Sequence, residues 1–274
     1  MGTMATLRSL ILLVSFTLVL PALASAEEAI PTGLREVRPV PTETLVPSSG
    51  AAVSALVAEA ANPRVPQNIA LARFEEIVSR GPSAVPELTH IYKDPKRADL
   101  EVWVAARALG RLGGPQARAG LEAGLKSTRI MSRLGSVSGL GLMRDLQATP
   151  ALESALYDKA MMVRAAAADA LAIFAQPTSA TALGKALNIS ANFRGGQSLF
   201  VREHIVDALG AVGSSASIEL LVASVADADP GVQLSARNAL VKMTGKSFGR
   251  SKQVSSAEAE AWQSWWQDEG RAGR

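Results

Sequence analysis

Apolar residues recur along this chain in stripes of helical period. With Leu171 as reference, Val163, Ala167, Ala170 and Phe174 stand at −8, −4, −1 and +3, one face of an amphipathic helix. Gln176-Pro177-Thr178 ends that helix, because proline lacks an amide donor and turns the residue before it away from helical geometry. A second, shorter stripe follows, with Leu183 and Leu187 at +12 and +16. Two short helices, each with one apolar face, make a unit that cannot bury itself alone.

The same template returns elsewhere. Around Leu209, Val201, Ile205, Ala208 and Val212 form the first stripe, with Leu221 and Val225 in the second. Leu240 repeats the first half through Val232, Ala236, Ala239 and Met243. Leu109 is accompanied by Ala105, Ala108 and Leu112, then Leu121 and Leu125. Leu140 has a weaker first stripe (Ser132, Ser136, Gly139, Met143) but a regular second one in Leu152 and Leu156. Val78 extends the series backwards through Ala70, Phe74 and Ile77, with Leu88 and Tyr92 two residues early. Subtracting the anchor numbers 78, 109, 140, 171, 209 and 240 gives spacings of 31, 31, 31, 38 and 31. One stripe arises by chance; a near-constant period does not. The pattern predicts an all-α solenoid of about six stacked antiparallel helix pairs. The one long spacing places seven extra residues within 188–200, where Gly195-Gly196 marks a loop. Insertions in repeat arrays project from one face, so Phe193 and Arg194 are candidate partner contacts. The alternative is that Phe193 or Phe200 folds back onto the core.

The ends of the array depart from the template. Arg8, an apolar run from Leu10 to Leu20, and Ala24-Ser25-Ala26 follow the order of a secretory signal peptide cut after Ala26. That run is far shorter than the roughly 20 residues a spanning helix needs, and no longer apolar stretch follows. The mature chain is therefore expected to lack a membrane span and to be secreted or periplasmic. Residues 27–48 are polar, with Pro31, Pro39, Pro41 and Pro47, and read as an extended leader. The solenoid is expected over 49–270, opened by a capping helix at 51–61 that starts from Ser48 or Ser49. At the far end Ser255 and Glu258 have capping-box spacing, and Trp262, Trp265 and Trp266 share one face of the helix that follows. The expected role of that face is to cover the last repeat; the alternative is a partner- or carbohydrate-binding platform.

Composition changes this picture little. There is no cysteine, which removes disulfides, thiolate metal sites and thiol nucleophiles. Ten basic residues against four acidic lie between Lys93 and Arg144, so Arg107, Arg111 and Arg118 are further candidate contacts, and with Lys126 and Arg129 a possible anionic-glycan surface. The simpler reading is a solvated face. His90 and His204 fall in different repeats with no ligand spacing around them, and the chain has no phosphate loop or nucleophile elbow. No catalytic residue, metal, cofactor or nucleic-acid partner is expected. One polar pattern recurs: Arg133, Arg164 and Arg202 stand at −7 from their anchors, and Asp158 and Asp227 at −13. This reads as a ladder that fixes how neighbouring repeats stack.

Asp158, Val163-Arg164, Ala167 and Ala170-Leu171, together with Asp229-Pro230, Val232, Ala236 and Ala239-Leu240, resemble the D-P-x-V-R-x-x-A-x-x-A-L core of HEAT repeats. The period is most similar to the short phycobiliprotein-lyase type of HEAT-like repeat. Gln233 replaces the arginine in the last repeat. The resemblance implies an α-solenoid that binds other macromolecules, and does not imply lyase activity. HEAT-repeat di-iron hydroxylases use His-Glu dipeptides, which this chain lacks. The leading expectation is an exported, non-catalytic scaffold or adaptor that binds a protein partner in the cell envelope through its second helices and the 188–200 loop. Alternatives are a lyase- or chaperone-like protein that positions a cofactor on its partner, or an envelope module for anionic glycan. The second-helix positions Gln116, Thr178, Ser179, Lys185 and Ser217, expected to be exposed, are small and bland, which disfavours the lyase-like alternative.

Overall fold

The computed structural model describes residues 50–270; the expected signal peptide (1–26) and leader (27–48) lie outside the described residues. The described chain is an all-α solenoid. It opens with α1 (Val53–Ala60), followed by five antiparallel pairs: α2 (Gln67–Ser79) with α3 (Val85–Lys93), α4 (Asp99–Leu112) with α5 (Gly114–Gly124), α6 (Ile130–Met143) with α7 (Thr149–Ala155), α8 (Met161–Phe174) with α9 (Ser179–Leu187), and α10 (Val201–Val212) with α11 (Ser215–Ser224). The last elements are α12 (Pro230–Thr244), α13 (Ser256–Trp265) and a single π turn, Trp266–Gly270. The anchors Leu109, Leu140, Leu171, Leu209 and Leu240 are fully buried, as are Leu121, Leu152, Leu183 and Leu221 of the second stripes. In the first pair the stripe is turned by one residue: Ile77 is buried and Val78 only half-buried. Measured from Ile77, Leu88 and Tyr92 stand at +11 and +15, one residue early instead of two.

First helices pack directly on one another, and small residues make this possible. A Cβ on Gly110 would lie 2.4 Å from the Gly139 carbonyl oxygen, and one on Gly139 would lie 2.6 Å from that of Ala106. Farther along, a Cβ on Gly141 or Gly210 would lie 3.0 Å from the Ala170 methyl or 2.6 Å from the Ala239 methyl. Alanine and glycine therefore let neighbouring backbones approach. The serines of the weak third stripe also have a purpose. The Ser136 hydroxyl is within hydrogen-bond reach of both the Leu121 carbonyl, at 2.6 Å, and the Tyr92 hydroxyl, either of which can take its one proton, while Tyr92 donates to the Ser132 carbonyl at 2.7 Å. Burial pushes the Tyr92 phenol up to about 12, with the Ser136 bond acting in the opposite direction. The phenol thus remains protonated and able to donate.

The arginine ladder crosses from each repeat to the next. Arg133 makes a two-point pair with Asp158, at 2.7 and 3.0 Å, and Arg202 does the same with Asp227, at 3.0 and 2.5 Å. All three arginines are nearly solvent-free. Their remaining N–H groups reach turn carbonyls: Arg133 that of Ser127, Arg164 that of Asp158, and Arg202 that of Leu187. Bidentate guanidinium–carboxylate pairs hold geometry better than single bonds. In the last repeat Gln233 keeps one such contact, donating to the Asp227 carbonyl at 2.6 Å.

Three expectations need correction. The first helix, expected from 51, begins at Val53 with Ala52 before it and no side-chain cap on Ala52, and the expected caps Ser48 and Ser49 lie outside the described residues. The capping box at α13 is half formed. Ser255 accepts from the Glu258 amide at 3.1 Å, but the Glu258 side chain is buried and turned toward Arg237, 3.9 Å away. The Arg237 charge draws it inward. The insertion holds a short antiparallel hairpin, β1 (Phe193–Arg194) and β2 (Gln197–Ser198), where only loop was expected. Gly195 and Gly196 have φ of +58° and +80°, the pair of positive values that a two-residue hairpin turn demands. The hairpin lies outside every helix stripe.

At the far end α13 runs beside α11 and is joined to α12 through Glu258 and Arg237, so it fills the second-helix place of a sixth pair. Trp262 is fully buried and Trp266 nearly so, with Trp265 half-buried against the same core. Trp262 packs edge-on against Phe248 at 4.7 Å and Trp265 at 5.6 Å. The indoles therefore close the open end of the stack.

Candidate functional site

Two concave surfaces and one projecting hairpin stand out. Between the second helices α5 and α7 runs a groove of about 680 Å³. Its floor is made of small side chains, Ala119 and Ala123 on α5 and Ala151 and Ser154 on α7. Short side chains on helix faces that lack a neighbour leave room for another polypeptide. Half-exposed Tyr157 stands at one edge, and Glu122, Lys126 and Asp158 supply both signs of charge around it. Burial raises the Asp158 carboxyl, but the Arg133 bond and the Ala160 amide outweigh it and hold the group below the usual carboxylate value. Asp158 is thus a fixed charge that belongs to both the ladder and the groove.

The second concavity lies at the other end of the stack, between α1, α2 and α4. It is a recess of about 120 Å³ walled by Leu71, Phe74, Trp103 and Val104, with Arg107 and Arg111 at its mouth. The Arg107 guanidinium lies 5.8 Å from the centre of the Trp103 ring. Burial lowers its pKa, and the neighbouring Arg111 charge adds to that. Arg111 faces Glu75 at 3.4 Å, both side chains exposed.

The hairpin is fastened down on one side and open on the other. Asn192 is completely buried; its side chain accepts from Arg164 at 2.8 Å and donates to the Ala186 carbonyl at 2.8 Å. It thereby takes the place in the ladder that aspartate holds in neighbouring repeats. Phe193 is half-buried, its ring 4.7 Å from the Arg202 guanidinium, while Arg194 is exposed at the tip. Phe200 keeps 38% of its surface exposed and meets His204 edge-on. His204 pairs with Asp169 at 2.7 Å, and that bond raises its pKa.

The structure does not gather the sequence-derived candidates into one site. Arg107 and Arg111 share the recess mouth on α4; Arg118 is on α5, paired with Asp145 at 2.5 Å and Glu122 at 3.5 Å; Phe193 and Arg194 belong to the hairpin. Arg129 is occupied by Asp99 at 2.5 Å and Lys126 lines the groove, so the five basic residues do not form one basic patch. Ser179 and Ser217, expected on the exposed side of second helices, are fully buried, Ser179 donating to Glu153 at 2.8 Å. Among the described residues no group of three or more His, Cys, Asp or Glu stands together at metal-ligand range. Trp103, Tyr157 and Asn192 were not singled out from sequence. Trp103 carried a signal, as the one tryptophan in the repeats outside the carboxy-terminal group.

Two stretches, 103–127 and 163–188, match the family description "PBS lyase HEAT-like repeat". Each begins within a first helix and runs through its turn and the following second helix. The chain thus carries HEAT-like repeats. Among solved structures, a HEAT-like array of this kind is similar to human deoxyhypusine hydroxylase in complex with glycerol, at 17% identity over 71% of this chain and 96% of that one, with a TM-score of 0.33. It is also similar to an engineered protein, at 19% identity over 70% and 96%, TM-score 0.41. A third is the complex of CpcE and CpcF of phycocyanin lyase from Nostoc sp., at 19% identity over 85% and 99%, TM-score 0.33. No curated protein matches the chain. The expectation of a non-catalytic protein is corrected: a hydroxylase and a lyase stand among the similar structures. No helix among the described residues is long and apolar enough to cross a membrane.

Proposed function

We propose that this HEAT-like repeat protein is exported and holds a partner protein in the cell envelope, gripping a segment of that partner in the groove between α5 and α7. The supporting observation is the groove itself, with its floor of alanine and serine, a half-exposed tyrosine at one edge and charges of both signs around it. Such a surface has room for a peptide backbone, an aromatic ring to pack on it and polar groups to orient it. The Arg194 tip of the hairpin, two repeats along, is a second point of contact on the same partner. Export rests on the order of charge, apolar run and small residues in 1–26.

The reading is tested in two parts. Fractionation of producing cells, with amino-terminal sequencing, is expected to find the protein outside the cytoplasm and beginning at Glu27; a chain that stays in the cytoplasm with its start intact refutes export. Capture from envelope extract with the wild-type protein and an Ala123→Arg variant is expected to retain a protein that the variant loses. Equal retention by both refutes the groove.

A further inference from the structure

Arg107 differs in one respect from the other buried or half-buried arginines among the described residues. Each of the others has a carboxylate or a set of acceptor oxygens on its guanidinium. Arg107 has one long hydrogen bond, to the Ser138 hydroxyl at 3.5 Å, and the face of Trp103. A guanidinium has five N–H donors and cannot lose its charge in ordinary conditions. Withdrawing it from water without a counter-charge is costly, so the position is unfavourable unless something else completes it.

The surroundings define what that is. At the mouth of the recess there are two positive groups, Arg107 and Arg111, against one negative, Glu75, which is engaged with Arg111. The deficit is one negative charge. Behind Arg107 the walls are apolar and partly exposed: Leu71 keeps 45% of its surface open, and Phe74 and Val104 lie beside it. The recess volume, about 120 Å³, is several times the roughly 30 Å³ share of one liquid water. It admits a short branched stem. We propose that this recess binds a carboxylate carried on a short apolar stem, with the carboxylate on Arg107 and the stem against Leu71, Phe74 and Trp103. Two sources share that chemistry: a free aliphatic acid, and the last residue of a polypeptide that ends in an apolar side chain. The site is separate from the α5–α7 groove, so either reading stands or falls without the other.

The test is a titration of the purified ¹⁵N-labelled protein, following the Trp103 indole N–H and the Arg107 Nε–H signals by NMR. The probes are 4-methylpentanoate, N-acetyl-leucine and, as a neutral control, 4-methylpentanol. Both signals are expected to shift saturably with at least one acid and at least tenfold more weakly with the alcohol. Arg107→Met should weaken acid binding at least tenfold. Ala70→Leu fills the recess while leaving every charge in place, and should do the same. Stronger binding of N-acetyl-leucine assigns the site to a polypeptide end, and stronger binding of 4-methylpentanoate to a free acid. Absence of a saturable shift with either acid overturns the proposal, as does undiminished binding to the Ala70→Leu variant.

Discussion

Gly110 and Gly120 lie one on each helix of the second pair, and alanine should act on them in opposite directions. Both are helical, so replacing either removes the entropic penalty of glycine, a gain of about 0.5–1 kcal/mol. At Gly120 the new Cβ meets only the Thr89 side chain at 3.5 Å, an ordinary contact. Gly120→Ala should therefore stabilise by about that amount. At Gly110 the new Cβ would lie 2.4 Å from the Gly139 carbonyl oxygen and 2.8 and 2.9 Å from two more backbone atoms. Backbone does not rotate away as a side chain does, so α4 and α6 must move apart by about 1 Å to restore normal contact. A gap of that size forfeits about a quarter to a half of the dispersion energy across it. Overpacking of this kind costs about 1–3 kcal/mol, and contact with backbone places it at the upper end. Net of the helix gain, Gly110→Ala should destabilise by about 2 kcal/mol. For a chain of this size that is a fall of roughly 4–8 °C in melting temperature, against a rise of about 1–4 °C for Gly120→Ala. Circular dichroism melts give the totals, and hydrogen exchange should place the loss first in α4 and α6, since stability in a stack is largely between neighbours. Equal gains at both positions would refute close backbone packing of the first helices.

Further expectations follow from the cap, the turns and the ladder. Truncation before Ser255 removes three indoles that cover the last repeat, and should lower the melting temperature and produce self-association by light scattering; a normal melt with monomeric behaviour would refute the capping role. Leu171→Ala at a fully buried anchor should cost about 2–5 kcal/mol in a denaturant titration, and an unchanged midpoint would refute the register. Ala175 ends α8 with φ of +49°, strained for any residue with a Cβ, so Ala175→Gly should stabilise by about 0.5–1 kcal/mol in the same titration. Burial raises the Asp227 carboxyl as it does that of Asp158, but the Arg202 bond and the Asp229 amide outweigh it, so both carboxyls sit below the ordinary value when folded. Stability from such a pair is complete above the unfolded pKa, about 3.9, and is lost as pH falls through the folded one. Urea midpoints should drop on acidification over that window, and a variant with Asp158→Asn and Asp227→Asn should show a shallower drop.

The stack was legible because its information is local and repeated. Leu109, Leu140, Leu171, Leu209 and Leu240 each sit in a helical stripe, and the period turns five weak signals into one strong one. The first register slipped because Ile77 and Val78 are adjacent and both aliphatic, so either fits the template, and only the packing of Leu88 and Tyr92 chooses between them. The ladder was visible as residue types at fixed offsets, but Asn192 was not, since an insertion changes its offset while leaving its role intact. Glu258 shows the limit of local motifs: capping-box spacing is present, yet the charge of Arg237, twenty-one residues earlier by subtraction, draws the carboxylate inward. Surfaces were harder still. The α5–α7 groove exists where small residues on two separate helices face each other, and the recess joins residues from α1, α2 and α4. Neither has a period or a motif.

The central claim is that a partner lies in the groove between α5 and α7. A photoreactive phenylalanine analogue placed at Ala123, within the groove, and at exposed Asp207, on the first-helix row, measures this most directly in the producing cell. Irradiation is expected to cross-link one envelope protein to the chain from position 123 and not from position 207, with the cross-linked peptide seated beside Ala151 and Ser154. No cross-link from position 123, or the same products from both positions, would contradict the account.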